Sequence, residues 1–229
     1  MSEKNKVEKS TLYLVGTPIG NLADISERAI KVLSEVDFIA AEDTRNSVRL
    51  LSALGIKKEL VSYHEHNKKA SGERLVARLL SGESCALITD AGMPAISDPG
   101  EDIVKLCADA GIVVSVIPGA CAAVSALSVS GLGTRRFAFE GFLSANKGER
   151  KKQLDKVKYD DRTLIFYEAP HKLKSTLFDM REAFGGERKI SLCRELTKLN
   201  EEIIRLSLDE ATALYEVVSI LLMIKRLSN

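Results

Sequence analysis

From Thr11 onward, short runs of β-branched and apolar residues alternate with segments whose apolar positions recur at helical spacing, and this alternation constrains the fold more than any other feature of the chain. The runs are Leu12 to Val15, Phe38 to Ala41, Ala86 to Thr89 and Val113 to Ile117. Ile25, Ala29, Val32, Leu33 and Val36 follow Asp24 at helical intervals, and Leu75, Val76, Leu79 and Leu80 do the same ahead of the third run. Such βα units predict a largely parallel sheet covered by helices. Gly131-Leu-Gly133, followed by Thr134, Arg135 and Arg136, interrupts the series. Beyond it, Phe137 to Glu140, Thr163 to Tyr167 and Lys189 to Cys193 predict the strands of a second region. The expected organisation is an unstructured tail over residues 1–10, an α/β domain over 11–133 and a second α/β domain over 134–229.

Hydrophobic residues make up 45% of the 229, enough to bury a sizeable core in one domain or two. Aromatic residues are scarce, 5% with no Trp, which argues against gripping single-stranded nucleic acid on stacking platforms. With 33 basic against 32 acidic residues, no global field holds polyanions, so any nucleic-acid contact requires a local patch. Cys85, Cys107, Cys121 and Cys193 form no CxxC pair and sit among apolar residues, as reduced core thiols do. The N-terminus MSEKNKVEKS lacks the apolar segment of a secretory signal, and Val217 to Ile224 is far short of the ~20 residues of a membrane span. A soluble, cytoplasmic protein with no membrane partner is expected.

Ligands of open α/β sheets collect beyond the carboxyl ends of the strands. Four segments in such positions are rich in small residues or charged groups: Gly16-Thr-Pro-Ile-Gly-Asn21, Glu42-Asp-Thr-Arg-Asn-Ser47, Asp90 to Gly100, and Pro118-Gly-Ala-Cys-Ala-Ala123. None matches the P-loop or the GxGxxG fingerprint, so kinase, NTPase and Rossmann dehydrogenase readings lose support. Gly16 and Gly20 serve an ordinary turn equally well. Asp90, followed by residues that let backbone approach closely, suits a ligand bearing a cation and hydroxyls, or else caps the next turn.

The strings LYLVGTPIGNL, AEDTRNS, TDAGMPAISDPG, PGACAAVSAL, EGFL, FYEAPHKL and CRELTK, in this order across roughly residues 11 to 212, resemble the ribosomal RNA small subunit methyltransferase I family. That family lies within the tetrapyrrole methylase superfamily, the class III methyltransferases. The resemblance implies two α/β domains, the first sheet mainly parallel and the second mixed, with S-adenosyl-L-methionine in the interdomain cleft, and usually a homodimer. It implies 2′-O-methylation of a cytidine of 16S rRNA in the decoding region, with the 30S subunit as partner. Carried over residue by residue, the cofactor contacts are Asp90, Gly92, Met93, Ile96 and Ser97, then Ala120, Cys121 and Ala122, and in the second domain Phe142, Leu143, Ala169, Pro170, Arg194 and Thr197. The chain departs from the family's pattern after Leu214, where YEVVSILLMIKRLSN stands in place of a Gly-Glu-Phe-Val-Leu-like strand.

Methyl transfer from a sulfonium is an in-line displacement whose hard chemistry belongs to the cofactor, so few dedicated catalytic groups are required. A ribose hydroxyl is a poor nucleophile, and a base or a neighbouring cation helps it. The candidates are Asn21, Glu42, Asp43 and Arg45; the alternative is that Asp43 or Thr44 caps a helix start. For RNA, Lys147, Arg150, Lys151, Lys152, Lys156 and Lys158 form a basic cluster beside a mobile segment, Ser144 to Gly148; a solvated helix face is the alternative. Tyr63-His-Glu-His66 spaces two imidazoles without a third ligand, so these residues are expected at the rim of the cleft and no metal is assigned. His171 is expected at a helix start. Two other functions fit the same fold. A small-tetrapyrrole (precorrin-type) methylase is disfavoured because that branch carries a glycine-richer first loop and Gly-Asp-Pro where this chain has Asp90-Ala-Gly-Met-Pro. A non-catalytic RNA-binding assembly module is disfavoured by retention of the whole loop set.

Overall fold

A computed structural model describes residues 6–216. The chain divides into two compact units, residues 1–122 and 123–229, so the division falls ahead of the Gly131 break, which lies within the second unit.

The first unit is a sheet of five parallel strands in the order β3-β2-β4-β1-β5. These are β1 (Thr11–Val15), β2 (Phe38–Ala41), β3 (Glu59–Ser62), β4 (Cys85–Ile88) and β5 (Val113–Ile117). Side chains alternate between faces along each strand and build two separate cores. Tyr13, Val15, Ile39, Ala41, Ala86 and Ile88 meet α1 (Glu27–Glu35) through Ala29, Val32 and Leu33, and α2 (Thr44–Ala53) through Leu51. On the opposite face Leu12, Phe38, Ala40, Cys85 and Leu87 meet α3 (Lys68–Leu80) through Leu75 and Leu79, and α4 (Glu101–Asp109) through Ile103 and Cys107. Helices on both faces explain why β2 and β4 read as unbroken apolar runs rather than alternating ones. The helix starts are chemical: Ser26 accepts from Ala29 N ahead of α1, and Asp43 accepts from Arg45 N ahead of α2.

Strand β3 is not among the expected strands because Leu60 and Val61 are its only apolar residues, too short a run to register. The tail differs from expectation as well. Residues 6–10 are tied down: Glu8 N donates to the Tyr13 hydroxyl, Ser10 N donates to Glu83 O, and Val7 packs on the core; residues 1–5 lie outside the described part.

The second unit holds α5 (Ala122–Val129), which opens at the division, then β6 (Phe137–Phe142), α6 (Lys147–Val157), β7 (Thr163–Tyr167), α7 (Leu173–Phe184), β8 (Lys189–Arg194), β9 (Glu202–Ser207) and helical turns at 208–216. Strands β6 and β7 pair in parallel and β8 and β9 antiparallel, so both directions are present, in two two-stranded sheets among the described residues. Strand β9 is an addition to the expected strands. Two small cores close the unit, one around Leu143, Leu154 and Ala183, the other around Leu177, Leu208 and Ala211. The unusual C-terminal run falls, from Val217, outside the described residues.

Candidate functional site

In a parallel sheet every carboxyl end lies at one edge, so the loops after β1, β2, β4 and β5 share an edge by topology alone. Three of them interlock through backbone. Thr17 N donates to Gly92 O at 2.9 Å and Gly92 N donates to Thr17 O at 3.1 Å, a small antiparallel bridge between the loops after β1 and β4. The buried Thr17 hydroxyl donates to Thr89 O at 3.1 Å, closing the bridge from beneath. Gly16 lies against Gly119: a Cβ on Gly16 would stand 2.7 Å from Gly119 Cα and 2.7 Å from Met93 Sδ, so only glycine fits. Gly92, at φ +88°, faces Ala120 O and Ile19 Cγ2.

The loop after β4 stores backbone strain. Ala95 at φ +68° and Ser97 at φ +63° occupy the left-handed region that residues with a Cβ avoid, beside Gly100 at φ +150°. The Thr89 hydroxyl is buried with no hydrogen-bond partner among the described residues. Strain and an unsatisfied donor persist where surrounding structure enforces them, and they cluster at ligand sites. Ile96 and Ser97 are exposed on this loop, and Cys121 and Ala122 are half-buried after β5.

Carboxylates gather at the same edge. Glu42 follows β2 and accepts from Asp90 N at 3.4 Å, while Asn46 Nδ2 donates to Asp90 Oδ2 at 2.8 Å. Burial raises Glu42 above the ordinary glutamate value, and the nearby Asp90 and Asp43 charges add to the effect. Burial, with repulsion from Glu42 and Asp90, pushes Asp98 up to about 6. Asp43 behaves oppositely. It caps α2 and accepts two hydrogen bonds from the Arg45 guanidinium at 3.1 and 2.7 Å, which hold it down at about 2. Asn21 caps the short 3-10 turn Leu22–Asp24 by accepting from Ala23 N. The structure therefore places Glu42 beside Asp90, Asn21 and Asp43 at caps, and the Arg45 side chain 87% exposed.

Within the second unit, Phe142 ends β6 with 56% of its surface exposed and its ring 5.4 Å from that of Tyr167, whereas Leu143 is buried. Ala169 N donates to Glu168 Oε1, and Pro170 follows, exposed. Arg194 pairs with Glu202 at 2.8 Å, and Thr197, at φ +66°, donates its N–H to Glu201 while its hydroxyl is buried without a partner among the described residues.

Three sequence expectations are corrected here. Arg150 is not a surface cation: it is 7% exposed, pairs with Asp179 of α7 at 2.6 Å, and donates to the carbonyls of Ser144 and Ala145. It thereby holds the segment expected to be mobile, which Ser144 N also anchors by donating to Gln153 and Asn146 by capping α6. Lys151 and Lys152 are exposed but paired with Glu182 and Glu149, and Lys147, Lys151 and Lys158 line a groove of about 430 Å³ shared with Asp155, Asp179 and Glu182. Tyr63 is no rim residue; its ring is fully buried in the core beneath α3 and α4, because it continues the inward face of β3. The rings of His64 and His66 lie 5.9 Å apart, and no third metal-ligating side chain joins them among the described residues.

Comparison with known proteins agrees with this architecture. The family model for Tetrapyrrole (Corrin/Porphyrin) Methylases matches residues 11–212. Ribosomal RNA small subunit methyltransferase I of Halalkalibacterium halodurans is 53% identical over 210 residues, covering 92% of this chain and 72% of that protein. The chain belongs to the ribosomal RNA small subunit methyltransferase I family. Its namesake from Pseudomonas aeruginosa is likewise 53% identical, over 200 residues, 87% of this chain and 71% of that one. Among solved structures, uroporphyrin-III-C-methyltransferase from Thermus thermophilus shares the fold at a TM-score of 0.61 and 24% identity, over 88% of this chain and 86% of that one. The methyltransferase fold thus accounts for the loop set. Thr17, Asn46 and Asp98 belong to it although sequence reasoning did not single them out; each lay inside a quoted string, and only contacts across 44 residues or more distinguish Thr17 and Asn46 from turn formers.

Proposed function

We propose that the chain transfers a methyl group from S-adenosylmethionine to the ribose 2′-hydroxyl of a cytidine in the decoding region of 16S rRNA, within the 30S subunit. The observation that carries this reading is the 53% identity to relatives of that name over about nine-tenths of the chain, loop cradle included. No helix among the described residues is long and apolar enough to cross a membrane, which suits a cytoplasmic ribosome-modifying enzyme. A homodimer belongs to the same reading and rests on the family resemblance.

The residues suit the proposed donor. A nucleoside bearing a diol and a cationic tail needs backbone that approaches closely, hydrogen-bonding groups left open by the fold, and a carboxylate. The Gly16, Gly92 and Gly119 contacts, the unpartnered Thr89 hydroxyl and the Asp90 carboxylate supply these. Gly92, Met93, Ile96, Ser97 and Ala120 to Ala122 would line the donor; for Phe142, Leu143, Ala169, Pro170, Arg194 and Thr197 a donor contact rests on the family resemblance. When bound, S-adenosylmethionine supplies an electrophilic methyl group activated by its sulfonium.

The remaining work falls to the chain's own side chains. Glu42, raised above the ordinary glutamate value by burial and so made a stronger base, takes the proton that the 2′-hydroxyl gives up. Asp43, saturated by Arg45, orients the first turn of α2 instead. Lys147, Lys156 and Lys158 hold RNA phosphates; Lys151 and Lys152 do so only by exchanging their glutamate partners. The test is transfer of labelled methyl to small subunits lacking the modification, followed by nuclease digestion and mass spectrometry. Label in 2′-O-methylcytidine is expected. Label on a base, on a tetrapyrrole acceptor instead of RNA, or on nothing despite donor binding would refute the reading.

A further inference from the structure

We infer that Asn46 is a positioning residue for the methyl donor: its side-chain amide fixes the Asp90 carboxylate and couples it to Glu42. This rests on the donor site proposed above. Asn46 sits in the first turn of α2, a helix fixed in place by the Asp43 cap and by the buried Ser47 and Leu51. Its own side chain is on the exposed side, so the core does not require an amide there. The hydrogen bond that it makes is to Asp90 Oδ2, at 2.8 Å, across 44 residues of sequence. An ionised carboxylate only accepts, so the amide nitrogen must face it.

Asp90 is held at a second point, because its N–H donates to Glu42 Oε2. Glu42 and Asn46 are four residues apart, so one short segment grips Asp90 by backbone and by side chain. Asp90 shares this edge with two other carboxylates, Glu42 and Asp98, each close enough to be felt electrostatically. Without a neutral donor, repulsion turns the Asp90 carboxylate outward, away from the orientation in which it receives the donor's hydroxyls. Asn46 supplies that donor. Asp90 is therefore preorganised before the donor arrives, and a change at Asn46 reaches donor affinity first and RNA affinity not at all.

The experiment compares the full-length protein with Asn46→Ala, Asn46→Asp and Asn46→His, using S-adenosylhomocysteine as the probe in calorimetric titration, together with thermal melts and KM for small subunits. Asn46→Ala is expected to raise the S-adenosylhomocysteine Kd about tenfold, the scale of one oriented hydrogen bond to a charged group, with Tm and subunit KM unchanged. Asn46→Asp, which adds a further carboxylate beside Asp90, raises it further. Asn46→His restores binding, since its Nδ1–H occupies the place of the amide nitrogen. Kd values within about twofold of wild type for both Ala and Asp would overturn the inference while leaving the donor site standing. A weakened Kd that tracks a fallen Tm, or one that His does not restore, would also overturn it. Failure of the wild-type protein to bind the probe would overturn the donor reading itself.

Discussion

Replacing Gly16 with alanine tests the loop cradle directly. The added methyl would lie 2.7 Å from Gly119 Cα, 2.8 Å from Gly119 N and 2.7 Å from Met93 Sδ. The thioether swings away at little cost, since Met has three rotatable bonds, but the Gly119 backbone cannot. Carbon atoms settle at ~3.5–4.0 Å, so the loops after β1 and β5 must part by about 1 Å. Overpacking of this size costs ~1–3 kcal/mol, and for a chain of this length a Tm loss of ~3–10 °C follows. The parting also breaks the register of the Thr17–Gly92 bridge, whose hydrogen bonds are 2.9 and 3.1 Å long. Misplacing binding groups by 1 Å costs up to ~10²-fold in rate, so methyl transfer should fall well beyond what the Tm loss explains at 20 °C. The assays are thermal denaturation, S-adenosylhomocysteine titration and single-turnover methylation. Gly133→Ala is the control, because its Cβ would meet nothing closer than 3.9 Å. A Gly16→Ala protein with wild-type Tm and Kd would show that the cradle is not close-packed and that the glycines serve only as turn formers.

Asp98, pushed up to about 6 from 3.8, holds its proton more tightly folded than unfolded, so it costs the fold nothing below about pH 4, progressively more as pH rises through 6, and a constant amount above. Unscreened, the displacement corresponds to ~3 kcal/mol, and solvent screening of a half-exposed group reduces it to ~1 kcal/mol; Asp98→Asn should therefore raise Tm at pH 7.5 and leave it unchanged at pH 3.5, and an equal gain at both values would reject the assignment. Breaking one side of the Arg150–Asp179 pair leaves a buried carboxylate, so Arg150→Ala should destabilise the second unit by ~3 kcal/mol while Lys156→Ala leaves stability intact; equal melts for the two would return Arg150 to the surface. Glu42→Gln, which keeps an oxygen to accept from Asp90 N, should slow single-turnover methylation by ~10²-fold with S-adenosylhomocysteine affinity changed far less, and near-normal turnover would remove Glu42 as the base.

The periodicity of the sequence was informative wherever an element is buried on a full face. Strands β1, β2 and β4 announce themselves because helices cover both sides of the sheet, so each carries four apolar residues in a row, while β5, an edge strand with exposed Val113 and Val116, is marked by its β-branched residues. Strand β3, at the sheet edge with exposed Glu59, and β9, interrupted by Arg205, carry half that signal and went unread. The site was legible only as strings. Asp90 and Glu42 follow strand ends, which topology brings to neighbouring positions; nothing local marks Asp43 as a cap rather than a base, since Asp serves both roles. The arginine at 150 shows the same limit from the other side. In sequence it is one of six cations in a row of twelve residues, and every local rule assigns it to solvent. Its destination is decided by Asp179, 29 residues on, and by two carbonyls that the loop before α6 would otherwise leave without a donor. A charged residue is buried when the fold presents it with a complete set of partners, and that set exists only after α6 and α7 have packed. The charge cluster therefore divides by packing: Arg150 becomes part of the scaffold that fixes Ser144 and Ala145, and the lysines remain outside.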